Sequence, residues 1–136
     1  IFAFVMEEKG IIRNTFSKNE KLCSEKLISR VFADGKSIVK YPLRAVYLID
    51  DLKEGEEPLC QVLVSVPKKR FKRAVKRNRI KRLIREAYRL NKYSLVVANK
   101  SKRVSLSFVM LDDKEPTYKQ IQSAVVKVID KILLVL

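Results

Sequence analysis

Between residues 24 and 33, Leu27, Ile28, Val31 and Phe32 recur at three- and four-residue spacing, which predicts a short amphipathic helix. Ser24 offers an N-cap hydroxyl, and Gly35 a left-handed stop. Residues 43–49 are rich in branched and aromatic side chains and predict a strand; residues 60–66 predict another. The acidic turn DDLKEGEEP lies between them, so the two are expected to pair as an antiparallel hairpin. Residues 38–41 are a candidate for one more short strand. Pro67 ends the second strand.

From about Ala74 the period changes to that of a long helix. Ile80, Leu83, Ile84, Ala87 and Tyr88 fall at i, i+3, i+4, i+7 and i+8, one stripe for a core. Its end is open between Asn91 and Ala98. Residues 103–111 alternate, with Val104, Leu106, Phe108 and Met110 on one face. Thr117 and Gln120 form a capping-box pattern before a last helix. That helix buries Tyr118, Ile121, Ala124, Val125, Val128, Ile129, Ile132 and Leu133. The order is helix, strand, strand, helix, strand, helix. This is the α+β class, a small mixed sheet with helices packed on one face. One domain over residues 16–136, preceded by a loosely held arm over residues 1–15, fits the length of 136. The chain does not begin with Met, and Met6 is one candidate for its natural start.

Charge changes the picture. The chain carries a formal +15. Most of it lies in residues 66–92, VPKKRFKRAVKRNRIKRLIREAYRLNK, with 13 Lys or Arg and a single acid, Glu86. Such density calls for a polyanionic partner. The periodic stripe within it makes this a packed helix with a rigid basic face. Because the stripe is needed for a core, a membrane surface is not the expected partner. The first six residues are apolar but too few to cross a bilayer. Cys23 and Cys60 read as reduced, partly buried thiols of a cytoplasmic protein.

The chemistry of an independent enzyme is missing. There is no histidine, which removes a histidine-dependent ribonuclease mechanism. Three glycines, Gly10, Gly35 and Gly55, cannot build a phosphate-binding loop of the P-loop or dinucleotide type. The acid pairs Asp50-Asp51 and Asp112-Asp113 could hold magnesium for a two-metal nuclease. Their places just after strands favour turns instead. Arg, by contrast, offers a planar fork suited to phosphate, and Asn78 both donates and accepts. A helix-turn-helix reader would need a helix immediately before this one, where a strand and Pro67 stand.

The run KRNRIKRLIREAYR, residues 76–89, closely resembles the RNR signature of the bacterial ribonuclease P protein subunit. VSVPKKRFKRAV resembles the strand and loop leading into it, and Phe32, Gly35 and Ser37 the Phe-x-x-Gly-x-Ser ending of the family's first helix. The resemblance covers residues 22–132. It implies a compact fold with a left-handed β-α-β crossover, and a protein that joins a catalytic RNA. That RNA removes the 5′ leader of precursor tRNA by magnesium-assisted hydrolysis; the protein itself holds no cofactor and no catalytic residue.

The resemblance implies catalytic-RNA contacts for Arg77, Asn78, Arg79 and Arg82, with Lys68, Lys69, Arg70 and Lys72 in the adjoining loop. Arg73, Lys76 and Arg89 belong to the same basic surface. It implies a leader cleft with Phe32, Lys81 and Arg85, joined by Arg44 and Tyr47 from the first strand. Where the family carries a second aromatic one turn before Phe32, this chain has Ile28, which reduces the surface for base stacking. A structural, ribosomal-type RNA-binding protein is the alternative reading.

Overall fold

A computed structural model describes residues 4–7, 10–13 and 20–136. The elements are β1 (Phe4–Glu7), β2 (Gly10–Arg13), α1 (Glu25–Asp34), β3 (Lys36–Lys40), β4 (Leu43–Asp51), β5 (Leu59–Ser65), α2 (Ala74–Asn91), α3 (Tyr93–Ala98), β6 (Lys102–Met110) and α4 (Tyr118–Leu133). The expected N-terminal arm falls largely outside the described residues; within it β1 pairs antiparallel with β2.

The other four strands form one mixed sheet in the order β3-β4-β6-β5. β4 is antiparallel to both β3 and β6, whereas β5 runs parallel to β6. The expected β4–β5 hairpin is therefore wrong: β6 lies between the two. Ser105 and Ser107 are as fully buried as Val104, Leu106 and Phe108, so β6 is covered on both faces. Such a strand belongs in the sheet centre, with a neighbour on each edge. The β5-α2-α3-β6 segment is consequently a β-α-β crossover. The candidate strand at residues 38–41 is real and appears as β3. β4 also extends through Asp50 and Asp51, which stand opposite Arg103 and Lys102 in register. Opposite charges across the ladder favour strand over turn there.

Most of the core lies on one face. Leu43, Ala45 and Tyr47 of β4, Val62 and Val64 of β5, and alternate β6 residues meet Ile80, Ile84, Ala87 and Tyr88 of α2 and the apolar stripe of α4. The Tyr88 and Phe108 rings pack tilted, 6.5 Å between centroids. Contrary to the expectation from the sequence, helices do not sit on one face only. α1 covers the other face, where Leu22, Leu27, Val31 and Val46 form a smaller cluster.

The helix ends show which local signals hold. Ser24 Oγ accepts from Leu27 N–H at 3.3 Å, and Thr117 and Gln120 complete their capping box. Gly35 is not a left-handed stop. Its backbone is extended, with φ −73° and ψ 158°. Glycine is needed for another reason: a Cβ there would lie 2.2 Å from Val31 O and 2.9 Å from Tyr47 O. The close approach lets the chain leave α1 directly onto the sheet. α2 stops at Asn91, whose side-chain amide donates to Ala87 O at 2.7 Å. The next residue, Lys92, is buried and ion-paired with Glu20.

Candidate nucleic-acid interface

α2 is held by its apolar stripe, so its cations are positioned by packing. Its N-cap residue, Arg73, makes no side-chain capping bond, and no acid stands in its first turn. The free N–H groups and partial positive charge of that end add to the cations of residues 68–73 just before it. Lys68, Lys69, Lys72 and Arg73 are exposed. Phosphate is the ligand such an end attracts.

Arg77 is half-buried and turns back on the loop. Its Nη1 donates to Phe71 O at 3.0 Å and to Lys72 O at 2.7 Å. It thus fastens the basic loop to the helix, a positioning task that its exposed neighbours do not share. Arg89 is bound to Glu86, with Nε 3.0 Å from Oε2. The hydrogen bond from Arg89 lowers the Glu86 carboxyl below its ordinary range.

The remaining cations divide by flank. Arg70 lies 3.1 Å from Asp113, and Lys76 and Arg79 lie 3.7 and 3.9 Å from Glu115. These acids belong to the loop between β6 and α4, and the sequence carried no sign that they would meet α2. Asn78, Lys81, Arg82 and Arg85 lie round the helix, away from that loop at ~100° per residue. Among the described residues none of the four is held by an internal ion pair.

On the α1 face, one row of the sheet is open. Strand register aligns Val39, Arg44, Val109 and Ser65 across β3, β4, β6 and β5. Val39 is 61% exposed and Arg44 is exposed, its Nε donating to Ser37 Oγ at 2.9 Å. The next rows, which include Val46, Ser105 and Ser107, are closed by α1. Arg30 of α1 reaches Asp50 at 3.1 Å, on the far side of the closed rows. Phe32 is about 200° round the helix from Arg30. It therefore flanks the open row and is 46% exposed. At Ser65 the row runs into Pro67 and the basic loop.

Phe32 and Arg44 thus stand on the same face of the sheet, both exposed. Tyr47 does not join them. It is 8% exposed and packs in the core on the opposite face, because an odd separation from Arg44 along β4 sends the side chain the other way. Lys81 and Arg85 sit on α2, the helix packed against that opposite face; the structure shows no contact of theirs with the open row. Ser37, Val39, Ser65 and Val109 were missed, since only strand pairing puts them in one row with Arg44 or beside it.

The acid pairs are occupied. Asp50 meets Arg30, Asp51 meets Lys102, Asp113 meets Arg70, and Asp112 accepts from Tyr41 Oη. Neither cysteine is in a disulfide; Cys60 is buried, with Asn99 Nδ2 donating to its Sγ at 3.4 Å, but Cys23 is exposed, contrary to expectation.

Comparison with known proteins agrees with this geometry. A family profile described as Ribonuclease P matches residues 16–133. The chain belongs to the ribonuclease P protein family. The ribonuclease P protein component of Porphyromonas gingivalis is 44% identical over 113 residues, covering 82% of this chain and 81% of that one. That of Chlorobium phaeobacteroides is 39% identical over 104 residues, 75% of this chain and 70% of that one. Among solved structures, the Staphylococcus aureus RNase P protein superposes with a TM-score of 0.60 at 25% identity, over 85% of this chain and 95% of that one. The Thermotoga maritima RNase P protein shares the fold, with a TM-score of 0.63 at 17% identity over 82% and 98% of the two chains. The chain is accordingly a ribonuclease P protein component. Among the described residues no helix is long and apolar enough to cross a membrane.

Proposed function

We propose that this protein binds the RNA subunit of ribonuclease P through α2 and the loop before it, and that the RNA performs the cleavage. The observation that carries the reading is a helix anchored by Ile80, Ile84, Ala87 and Tyr88 whose outer flank presents Asn78, Lys81, Arg82 and Arg85, none of them ion-paired among the described residues. The basic loop and the uncapped helix end extend that charged surface. The family of the chain supports the choice of RNA. A purely structural ribosomal role is not favoured, since its named relatives are ribonuclease P protein components.

The second part of the proposal concerns substrate. The open row beside Phe32 fits a single-stranded 5′ leader of precursor tRNA. Phe32 provides one stacking surface, Arg44 a cation for phosphate, and Val39 and Val109 an apolar floor. Lys81 and Arg85 would serve RNA on the α2 side. The protein supplies charge, orientation and exclusion of wrong partners rather than proton transfer. The acids of the two pairs are engaged within the protein: Asp50 with Arg30, Asp51 with Lys102, Asp113 with Arg70 and Asp112 with Tyr41. The magnesium needed for hydrolysis is assigned to the RNA.

Cleavage of precursor tRNA by the RNA subunit at low magnesium, with and without this protein, tests the reading. Stimulation by the protein, with none by protein alone, is expected. No stimulation would sink it.

A further inference from the structure

The loop between β6 and α4 is built to hold its acids in place. At one end Leu111 N–H donates to Pro42 O at 3.0 Å, and Tyr41 Oη donates to Asp112. Asp112 Oδ1 accepts from Asp113 N–H at 2.7 Å and from Lys114 N–H, two residues on, at 3.4 Å, which folds the loop into an Asp turn. At the other end Pro116 leads into the Thr117–Gln120 capping box. Between these ties Asp113 and Glu115 project to Arg70, Lys76 and Arg79. Three cations of the basic stretch are thereby occupied by two acids from a segment more than thirty residues away in sequence.

We propose that this loop is an internal counter-anion. It closes the Arg70–Lys76–Arg79 flank to phosphate and directs RNA onto the flank of Asn78, Lys81, Arg82 and Arg85. The inference rests on the reading of α2 as the RNA face, and goes beyond it by naming which side of the helix is used. Phosphate reaching the closed flank must displace Asp113 and Glu115 and then lie beside their charge. The pairs are exposed at the surface, so a dense polyanion can displace them, at a loss of affinity. RNA that fits the open flank meets no such opposition. The loop therefore acts against RNAs that bind by charge alone, the sequence-independent mode in which every available cation counts.

The test uses the full chain and an oligouridylate as a probe with no fold of its own. D113N/E115Q is expected to bind it roughly tenfold more tightly at low salt. Its log affinity against log salt is expected to steepen by about 0.7 for each phosphate gained. Adding K76A/R79A in that background returns both values toward the parent. E54Q/E57Q, in the separate acidic turn, removes the same formal charge and is expected to change binding much less. An equal gain in E54Q/E57Q, or no gain in D113N/E115Q, overturns the counter-anion while leaving the RNA face intact. R82A/R85A in the parent decides the underlying reading separately: it is expected to weaken binding and flatten the salt slope. Unchanged binding there means that α2 is not the RNA face at all. Thermal melting of each variant confirms the fold, and Asp113 and Glu115 are exposed enough for it to survive their replacement.

Discussion

Beneath α2 and α4 the sheet turns Leu43, Ala45, Val62, Leu106 and Phe108 into a continuous apolar core. On its other side α1 closes over four buried residues, Leu22, Leu27, Val31 and Val46, above two buried serines. It leaves Val39 and Arg44 exposed in a row whose other members, Val109 and Ser65, are half-buried. The first face fixes α2 and with it the position of a charged surface. The second stays partly open, and Arg44 and Phe32 stand at the opening. One thin sheet thus has two unlike faces: most of the buried core lies on one, and an exposed stretch around Arg44 on the other.

The sharpest way to break this comparison is to empty each face in turn. Phe108→Ala, on the closed face, is expected to cost about 3–5 kcal/mol in urea unfolding. That is a large share of the ~5–15 kcal/mol typical of a domain. Val31→Ala, under α1, is expected to cost roughly 2 kcal/mol, at ~0.8 kcal/mol for each methyl removed plus a small cavity term. A Val31→Ala cost equal to that of Phe108→Ala would mean that the two faces bear the load alike.

Alkaline pH probes the closed face by another route. Tyr88 is fully buried, and burial, aided by Cys60 and Glu20 nearby, raises its phenol well above 10.0. The unfolded chain loses that proton near pH 10 while the folded chain keeps it. The contribution is thus complete below pH 10 and is lost as pH rises above it, at up to about 1.4 kcal/mol per pH unit. Urea midpoints from pH 9 to 11 should fall less steeply for Tyr88→Phe than for the parent. Parallel profiles would place the alkaline loss elsewhere.

The smallest effect on stability is expected at the opening. Phe32→Ala should stay within about 0.5 kcal/mol of the parent in urea. The same variant should weaken binding of a single-stranded 5′ leader by about 1–3 kcal/mol, the range for one base stacked on an aromatic ring. A large loss of stability with unchanged leader binding would reassign Phe32 to the small core.

Much of this was legible in the chain. The stripe from Ile80 to Tyr88, the Ser24 and Thr117 caps and the alternation from Val104 to Met110 are local patterns whose meaning needs only helix or strand periodicity. The dense charge in residues 66–92 marked α2 as the basic helix by the same kind of local reading. Pairing was less legible. A chain segment does not state its neighbour, and the turn between β4 and β5 suggested a hairpin that β6 occupies instead. Tyr47 was misplaced for a related reason, since its choice of face follows from the register of β4 against the core. Gly35 was placed correctly but explained wrongly, because the crowding by Val31 O and Tyr47 O exists only once α1 lies on the sheet.

By itself, then, the sequence determined which segments coil or extend, which stripes face inward, and where the positive charge is concentrated. These follow from short-range sterics and from the separation of apolar and polar groups along one element. Only the tertiary structure decided that the sheet has one closed and one open face. It alone brought Asp113 and Glu115 against Arg70, Lys76 and Arg79. Ion pairing falls off within a few ångströms in water, so the sequence fixes how many charges there are, but only folding decides which are left for a partner.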